Sequence, residues 1–261
     1  MQIFQTAAKR GSLLSNFNIG KLYADNSDVF IAAKDSFRCS DDEDCARKAV
    51  TWYAEAAKQG NAVAQNNLGY MYDSKRGVRG RIEGVDLNCT EDDEDCYRKA
   101  VTWYAKAAKQ GDAVAQYNLG SMYGSKRGVR GRTEGEDLNC TDDEDCDRQA
   151  VTWYAKAAKQ GDAVAQYSLG NMYDSKHGVR GRTEGEDLNC TDDEDCDRKA
   201  VTWYAKAAKQ ESEYALENLA YMYRSLRGVT TIDDPTLLCN DKASCEAKAK
   251  ALDEQRKALS P

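Results

Sequence analysis

The sequence predicts an all-α chain built as an elongated solenoid of repeats, and three observations carry that prediction. The first is a segment that returns almost letter for letter: the run around Trp103, residues 100–111, followed by residues 113–123. Trp52, Trp103, Trp153 and Trp203 stand 51, 50 and 50 residues apart. A fixed period of this length marks an array in which each unit buries its apolar face only against its neighbours. The second is composition: alanine recurs at helical spacing, charged residues make up 31% of the chain, and only two prolines interrupt it. The third is the set of ten cysteines, which fall into five evenly spaced pairs: Cys39/Cys45, Cys89/Cys96, Cys140/Cys146, Cys190/Cys196 and Cys239/Cys245. An even count at a repeated spacing implies a disulfide framework, and hence an oxidising compartment such as the periplasm or the cell exterior.

Taken in order, the chain opens on Ile3–Gly11, a run that matches the second half of the helix around Trp103. Residues 1–11 are therefore expected to be a helix remnant closing against the first full unit, in a chain that begins after a removed signal peptide. Five units follow, at about 12–60, 61–111, 112–161, 162–211 and 212–261. Each holds a first helix, a long connection, a cysteine pair and a second helix.

The third unit shows why. Its first helix is predicted over 112–124, with Asp112 as N-cap just after Gly111, which ends the preceding helix. Ala115, Leu119 and Tyr123 face inward. A glycine inside a helix costs about 1 kcal/mol relative to alanine, so Gly120 is expected to let a neighbouring helix come close. The second helix is predicted over 144–160, with Ala150, Trp153, Tyr154 and Ala157 as its apolar stripe. Asp143, Glu144 and Asp145 open it and Lys156 and Lys159 close it, both signs suiting the helix dipole. In the connection from Ser125 to Cys140, the basic residues Lys126, Arg127, Arg130 and Arg132 are expected to be neutralised by Glu134, Glu136 and Asp137 just after them.

Residues six apart in a helix lie about 9 Å apart, too far for a disulfide. The first cysteine of each pair must therefore precede the second helix, with the chain turning back to its first turn. The second unit agrees, because Glu91 lengthens Cys89–Cys96 by one residue, which a loop allows and a helical register does not. Closing so small a ring stabilises by about 2 kcal/mol in the chain-entropy model. In the last unit Pro235 breaks the connection, and a helix over 243–259, rich in Lys, Glu and Asp, is predicted to serve as a terminal cap with a polar outer face.

Leu-Gly-x-x-Tyr followed by Lys-Ala-x-x-Trp-Tyr-x-x-Ala-Ala-x-x-Gly resembles the Sel1-like repeat, a relative of the tetratricopeptide repeat. It stands as Leu68-Gly69 and Tyr72 with Lys99-Ala100, Trp103-Tyr104, Ala107-Ala108 and Gly111, and returns at Leu119-Gly120 with Tyr123 and Leu169-Gly170 with Tyr173. The last unit is weaker, with Leu219-Ala220 and Tyr223 and no Trp-Tyr pair in its final helix. The resemblance covers nearly the whole chain and implies an α/α superhelical solenoid of five antiparallel helix-pair repeats with a concave groove. The connection of about eighteen residues departs from the short link usual in this family. The cysteine spacing also differs from that of cysteine-rich relatives whose bridges join the two helices, so the β-lactam binding of those relatives is not carried over.

The net charge of −7 and isoelectric point near 5.0 argue against a nucleic-acid or anionic-membrane binder and suit a cationic protein partner. No segment reaches the roughly 20 apolar residues of a membrane span. No nucleophile elbow, His-Glu-x-x-His or phosphate loop occurs, so neither catalysis nor a cofactor is expected. His177, where earlier units carry Arg76 and Arg127, is expected to be a solvated surface residue. The run Asp137–Asp145 places oxygens at alternate positions as calcium loops do, but it lacks the central glycine and terminal glutamate of an EF-hand. N-terminal helix charge is the better reading, and no metal site is expected. Asn88, Asn139 and Asn189 open glycosylation sequons that matter only in a eukaryotic secretory host.

The units are nearly identical in their second helices and differ in their first. The positions two before and two after the packing leucine are expected to face the groove: Phe17/Lys21, Asn66/Tyr70, Tyr117/Ser121, Tyr167/Asn171 and Glu217/Tyr221. Variation confined there fits a tailored protein-binding surface, and tyrosine supplies large contact area with a polar tip. The resemblance implies a monomeric scaffold that binds another protein. Its most specific form is a periplasmic immunity protein that neutralises a secreted, type VI phospholipase-like effector. The alternatives are a secreted host-interaction factor and a cell-envelope hydrolase or β-lactam-binding protein.

Overall fold

The computed structural model describes residues 13–25, 38–78, 88–90, 92–130, 138–180 and 188–259. The expected closing helix over 1–11 and the acidic residues Glu134, Glu136 and Asp137 lie outside them. The described residues form ten α-helices and no strand: α1 (Leu13–Asp25), α2 (Asp42–Lys58), α3 (Ala62–Asp73), α4 (Asp93–Lys109), α5 (Ala113–Gly124), α6 (Asp143–Lys159), α7 (Ala163–Ser175), α8 (Asp193–Ala208), α9 (Glu213–Ser225) and α10 (Lys242–Leu259). Odd-numbered helices are the first helices of the repeats and even-numbered ones the second. The chain divides into two compact units, one up to Asn139 and one from Cys140. The division falls between the two helices of the third repeat.

Caps set the helix starts. Asn61, Asp112, Asp162 and Ser212 each accept from the backbone N–H three residues on, opening α3, α5, α7 and α9. Asp41, Asp142 and Asp192 do the same for α2, α6 and α8, satisfying donors that the helix itself leaves unpaired. After α2, α4 and α6 the chain leaves through Gly60, Gly111 and Gly161 at φ of 92°, 93° and 95°. After α8 the same turn is made by Glu211 at φ 64°, a conformation that opposes its side chain.

In the first unit α1 packs on α2, α2 on α3, α3 on α4 and α4 on α5. Partners at both ends fix α3 and α4 as antiparallel. Gln110 Nε2 donates to Gln65 Oε1 at 2.6 Å at one end, and Lys75 Nζ meets Asp93 at 2.5 Å at the other. The core is made of Leu68, Leu119, Val50, Val101, Tyr72 and Tyr104 with a floor of alanines from α2 and α4. Small residues there let each tyrosine ring reach the facing helix. A Cβ added to Gly69 would lie 2.6 Å from Tyr104 Cδ1, and one added to Gly20 would lie 2.7 Å from Tyr53 Cδ1.

In the second unit α6 packs on α7, α7 on α8, α8 on α9 and α9 on α10, around Leu169, Leu216, Leu219, Val151, Val201, Tyr173 and Tyr204. Gln210 Nε2 donates to Gln166 Oε1 at 2.9 Å, repeating the glutamine pair of the first unit. Tyr173 and Tyr223, the tyrosines of Leu-x-x-x-Tyr, donate to the carbonyls of Leu188 and Leu237 at 2.8 Å and so hold the far end of the connection.

The near end of each connection is held by glycine and valine. Gly77 Cα sits so close to α2 that a Cβ would lie 2.4 Å from the Ala46 carbonyl carbon, and Gly228 stands the same way against Asp197. The valines that follow, Val78, Val179 and Val229, are fully buried. Their carbonyls accept from the N–H of Cys89, Cys190 and Cys239 at 3.0, 2.9 and 3.0 Å. These three cysteines are bonded to Cys96, Cys196 and Cys245, each in the first turn of the next helix, and Cys39–Cys45 and Cys140–Cys146 complete the set of five. The Cα atoms of the pairs are 5.0–5.3 Å apart, as the spacing requires.

The last helix differs from the expectation at its start. The helix starts at Lys242 and not at residue 243, because Asp241 takes the cap position: its carboxylate accepts from the Ser244 N–H at 2.7 Å and its carbonyl from the Cys245 N–H at 3.1 Å. Its outer face is polar and its inner one is not. Cys245 and Ala249, one turn apart, are buried while most of the remaining residues of α10 are exposed, so a narrow apolar stripe seats the cap on α9.

Candidate partner-binding face

The first helices present the variable positions. Tyr70 is 52% exposed and Tyr221 55% exposed, each two residues after its packing leucine. Lys21 and Glu217 are exposed, Glu217 meeting Arg256 Nη1 at 3.1 Å. Phe17, Tyr117, Ser121, Tyr167 and Asn171 are half-buried. Phe17 lies with its ring centroid 6.2 Å from that of Tyr53. Tyr167 sits between Tyr204, at 6.0 Å, and Tyr214, at 5.9 Å. Asn66 departs from the expectation. It is only 8% exposed, and its Oδ1 accepts from Asn118 Nδ2 at 3.0 Å. The neighbouring first helix covers it, so it supports the face more than it projects from it. The cysteines, from Cys39 and Cys45 to Cys239 and Cys245, are all buried and bonded; they brace the repeats and add no surface to the face.

A second line of residues runs along the first helices of each unit. The position just before the packing residue holds Asn18, Asn67, Asn118, Ser168 and Asn218, all half-buried. Asn67 bonds the Tyr53 hydroxyl. Asn218 Nδ2 donates to Asn171 Oδ1 at 3.0 Å, which also accepts from the Tyr204 hydroxyl at 2.7 Å. Asparagine is a poor helix former because its side chain competes for the backbone. Its return at one place in four of five repeats was the signal that a reading based on variability passed over. The exposed Val63, Val114, Val164 and Tyr214, second residue of each later first helix, were missed for the opposite reason. They look like ordinary helix formers.

The first helices of each unit carry few charges, and most of these are paired. In α3, α5, α7 and α9 the charged residues are Asp73, Asp174, Glu213 and Glu217 against Arg224 alone. Burial raises the Asp73 carboxyl above its ordinary value, and Arg127 and Lys75 beside it offset only part of that rise. Arg127 Nη1 meets Asp73 Oδ1 at 2.9 Å, so the preceding repeat supplies a partner for its charge, while the acids expected to neutralise it lie outside the described residues. Arg227 likewise bonds Asp174 at 2.8 Å and Asp197 at 2.5 Å. The reason is geometric: Gly128 and Gly228 press the start of the connection against the preceding second helix, which brings its side chains over that repeat. His177 is exposed. The acidic run before α6 is occupied locally, Asp142 as cap and Asp145 accepting from the Thr141 N–H at 2.8 Å.

This geometry defines a disulfide-stapled helical-repeat scaffold whose first helices carry the surface that differs from unit to unit. No helix among the described residues is long and apolar enough to cross a membrane, and five pairs at disulfide distance mark an oxidising, extracytoplasmic environment. The chain is a Sel1-repeat protein: the Sel1 repeat profile matches residues 43–61, 62–74, 93–112, 113–130, 144–162 and 194–212. Repeats of this family form protein-binding scaffolds.

A Sel1-like repeat-containing protein of Acanthamoeba polyphaga mimivirus is 32% identical over 117 residues, which is 41% of this chain and 19% of that protein. The fold is similar to two crystal structures. One is a protective antigen of uropathogenic Escherichia coli displaying this repeat fold, with a TM-score of 0.67 and 24% identity over all of this chain and 41% of that one. The other is a Sel1 repeat protein of Oxalobacter formigenes, with a TM-score of 0.65 and 23% identity over all of this chain and 79% of that one. The chain therefore spans about a fifth of its viral relative and two fifths of the E. coli structure.

Proposed function

We propose that this chain is a non-catalytic, extracytoplasmic scaffold that binds one protein partner along its first helices, and in its most specific form an immunity protein that neutralises a secreted phospholipase-like effector. The observation that carries the reading is the pair of large rings, Tyr70 and Tyr221, more than half exposed at the same place in two repeats. Around them the packing leucines and tyrosines stay constant and buried. An exposed aromatic costs solubility and gains nothing for the fold, so its natural use is as a contact anchor. The net charge of −7 supports a cationic partner, drawn in by long-range attraction.

The test is capture from the native extract with the wild-type chain and with Tyr70, Tyr117, Tyr167 and Tyr221 each changed to alanine. Loss of one captured protein without loss of helicity supports the scaffold reading. Capture that is indifferent to all four moves the contact elsewhere. For the immunity form, co-expression with the captured protein should restore growth that the captured protein alone abolishes. Survival without co-expression would remove that form and leave the scaffold.

A further inference from the structure

The second helices are polarised end to end. In α4 Asp93, Glu94 and Asp95 open the helix and Lys106 and Lys109 close it; in α8 Asp193, Glu194 and Asp195 stand against Lys206. From Asp95 to Lys106 is about 16 Å along the helix, twice the screening length of about 8 Å in physiological salt. The lysine end therefore acts on its surroundings independently of those acids, whatever the net charge of the chain. The ammonium groups of Lys106 and Lys206 stand 4.3 and 3.9 Å from the ring centroids of Trp103 and Trp203, so a half-buried indole positions each of them. Both lysines are exposed, and neither has an acid partner among the described residues. Partial burial, and then the like charges of Lys159 and Lys209, lower the Lys206 ammonium below the ordinary lysine range. Of the acids at this end, Asp162 caps α7 through the Ala165 N–H, Asp234 acts with Lys209, and Glu211 and Glu213 stand further along the chain.

An exposed valine stands at the same end of each helix pair. Gln110, one turn after Lys106, donates to Gln65 Oε1 at 2.6 Å, two residues beyond the exposed Val63. Gln210, one turn after Lys206, donates to the Gly161 carbonyl at 3.0 Å, three residues before the exposed Val164. The same couple, a lysine stacked on an indole and a bare aliphatic side chain, thus recurs once in each unit. We infer that the Lys106/Val63 and Lys206/Val164 rims receive an acidic polypeptide segment that also carries aliphatic side chains. Its carboxylates meet the ammonium groups and its aliphatic groups cover the valines. A single aliphatic residue per rim gives a membrane no continuous apolar face to take up, and it gives nothing to a polyanion that binds by charge alone. A polypeptide supplies both kinds of side chain. This inference goes beyond the scaffold reading, because it adds a second surface, of opposite charge preference, to the one proposed around Tyr70 and Tyr221.

The probes are three synthetic peptides of equal length, built of glutamate with leucine, glutamate with serine, and lysine with leucine, together with phosphatidylglycerol vesicles and a sulfated polysaccharide. Each is titrated into the full chain at low salt with tryptophan fluorescence as the readout, because a carboxylate that engages Lys106 or Lys206 disturbs the ammonium over its indole. The glutamate–leucine peptide should bind and change the emission. Lys106→Gln together with Lys206→Gln should weaken it about tenfold, and Val63→Ser together with Val164→Ser about fivefold. Lys106→Arg with Lys206→Arg keeps both charges and should keep the binding, which separates lost charge from a disturbed fold. Equal binding of the glutamate–serine peptide, tighter binding of the vesicles or the polysaccharide, or indifference to the lysine variants would overturn the inference. The Tyr70→Ala and Tyr221→Ala variants should bind the acidic peptide as the wild type does, and loss of binding there would overturn the assignment of a second surface. No binding of the peptide while tyrosine-dependent capture persists would overturn the inference and leave the scaffold reading standing.

Discussion

Gly170 in α7 faces Tyr204 in α8 so closely that a Cβ would lie 2.6 Å from the ring Cδ1 and 2.7 Å from Cε1. The ring can yield only by moving a hydroxyl already bonded to Asn171. Gly170→Ala should therefore destabilise the chain by up to about 2 kcal/mol, the overpacking cost of about 1–3 less the helix gain of about 1. Urea denaturation followed by circular dichroism measures it. Tyr204→Leu in the same chain should recover part of the loss, whereas Tyr204→Phe should not. The last repeat has Ala220 where the others have glycine, and Asp253 where they have this tyrosine, as the pairing demands.

Glu211 holds a left-handed backbone where three other repeats use glycine. Glu211→Gly removes the clash of Cβ with the following carbonyl and should raise stability by about 1 kcal/mol. A lower midpoint in the same urea experiment would mean that the carboxylate holds a contact worth more than the strain.

Arg227 binds Asp197 through Nε at 3.1 Å and Nη2 at 2.5 Å, and Asp197 is only 9% exposed. Arg227→Ala leaves that carboxylate with Lys176 at 3.5 Å and should cost about 2–3 kcal/mol, below the 3–5 of a fully buried pair. Arg227→Lys should restore less than half, because a point charge cannot reproduce the fork. Thermal melts at low and high salt separate the two effects, and the loss should persist in high salt.

Stability should fall at both ends of the pH scale. Burial pushes Asp44 and Asp195 up, but the N–H of Ser40 and Thr191 with Lys48 and Lys199 outweigh it and hold both below 3.8. A depressed carboxylate stabilises above its unfolded value, and that contribution is lost as pH falls below about 4. Burial raises Tyr53 and Tyr223 to about 12. A raised tyrosine stabilises below its unfolded value near 10, and that contribution is lost as pH rises from 10 towards 12. Ultraviolet titration should show the buried Tyr53 and Tyr223 ionising only as the helical signal disappears.

The native protein should expose no thiol to alkylating reagent and ten after reduction and unfolding, since five bonds account for every cysteine. Replacing Cys190 and Cys196 together by alanine should cost about 2 kcal/mol for so small a ring. An unchanged melting temperature would locate the stability of that turn in the Val179–Cys190 backbone bond instead.

The helices and the bridges were legible because each follows from short-range chemistry repeated five times. Asp112 before an apolar run and Cys140 six residues before Cys146 mean the same thing in any context. The helix predicted over 144–160 lies at 143–159, shifted one residue by the cap at Asp142, and the last helix starts one residue early for the same reason at Asp241. What escaped were contacts between elements. The charged residues around Cys245 hid the stripe by which the terminal helix is seated. The pairing of Arg127 with Asp73 joins residues 54 apart in sequence, and nothing local distinguishes Asp73 from the acids just downstream of Arg127. Asn66 was placed on the groove face by its offset from Leu68, but burial depends on what the next helix brings, which is Asn118.

Val179 and Cys190 meet through their backbones, as do Val78 with Cys89 and Val229 with Cys239. A chain that leaves a point and comes back to it transmits no strain to what lies on either side. The distance between one helix and the next is thus independent of how many residues make the excursion, and the last repeat already closes the same contact with one residue fewer. Foreign epitopes or affinity tags inserted between those anchors should ride on the scaffold without altering its pitch.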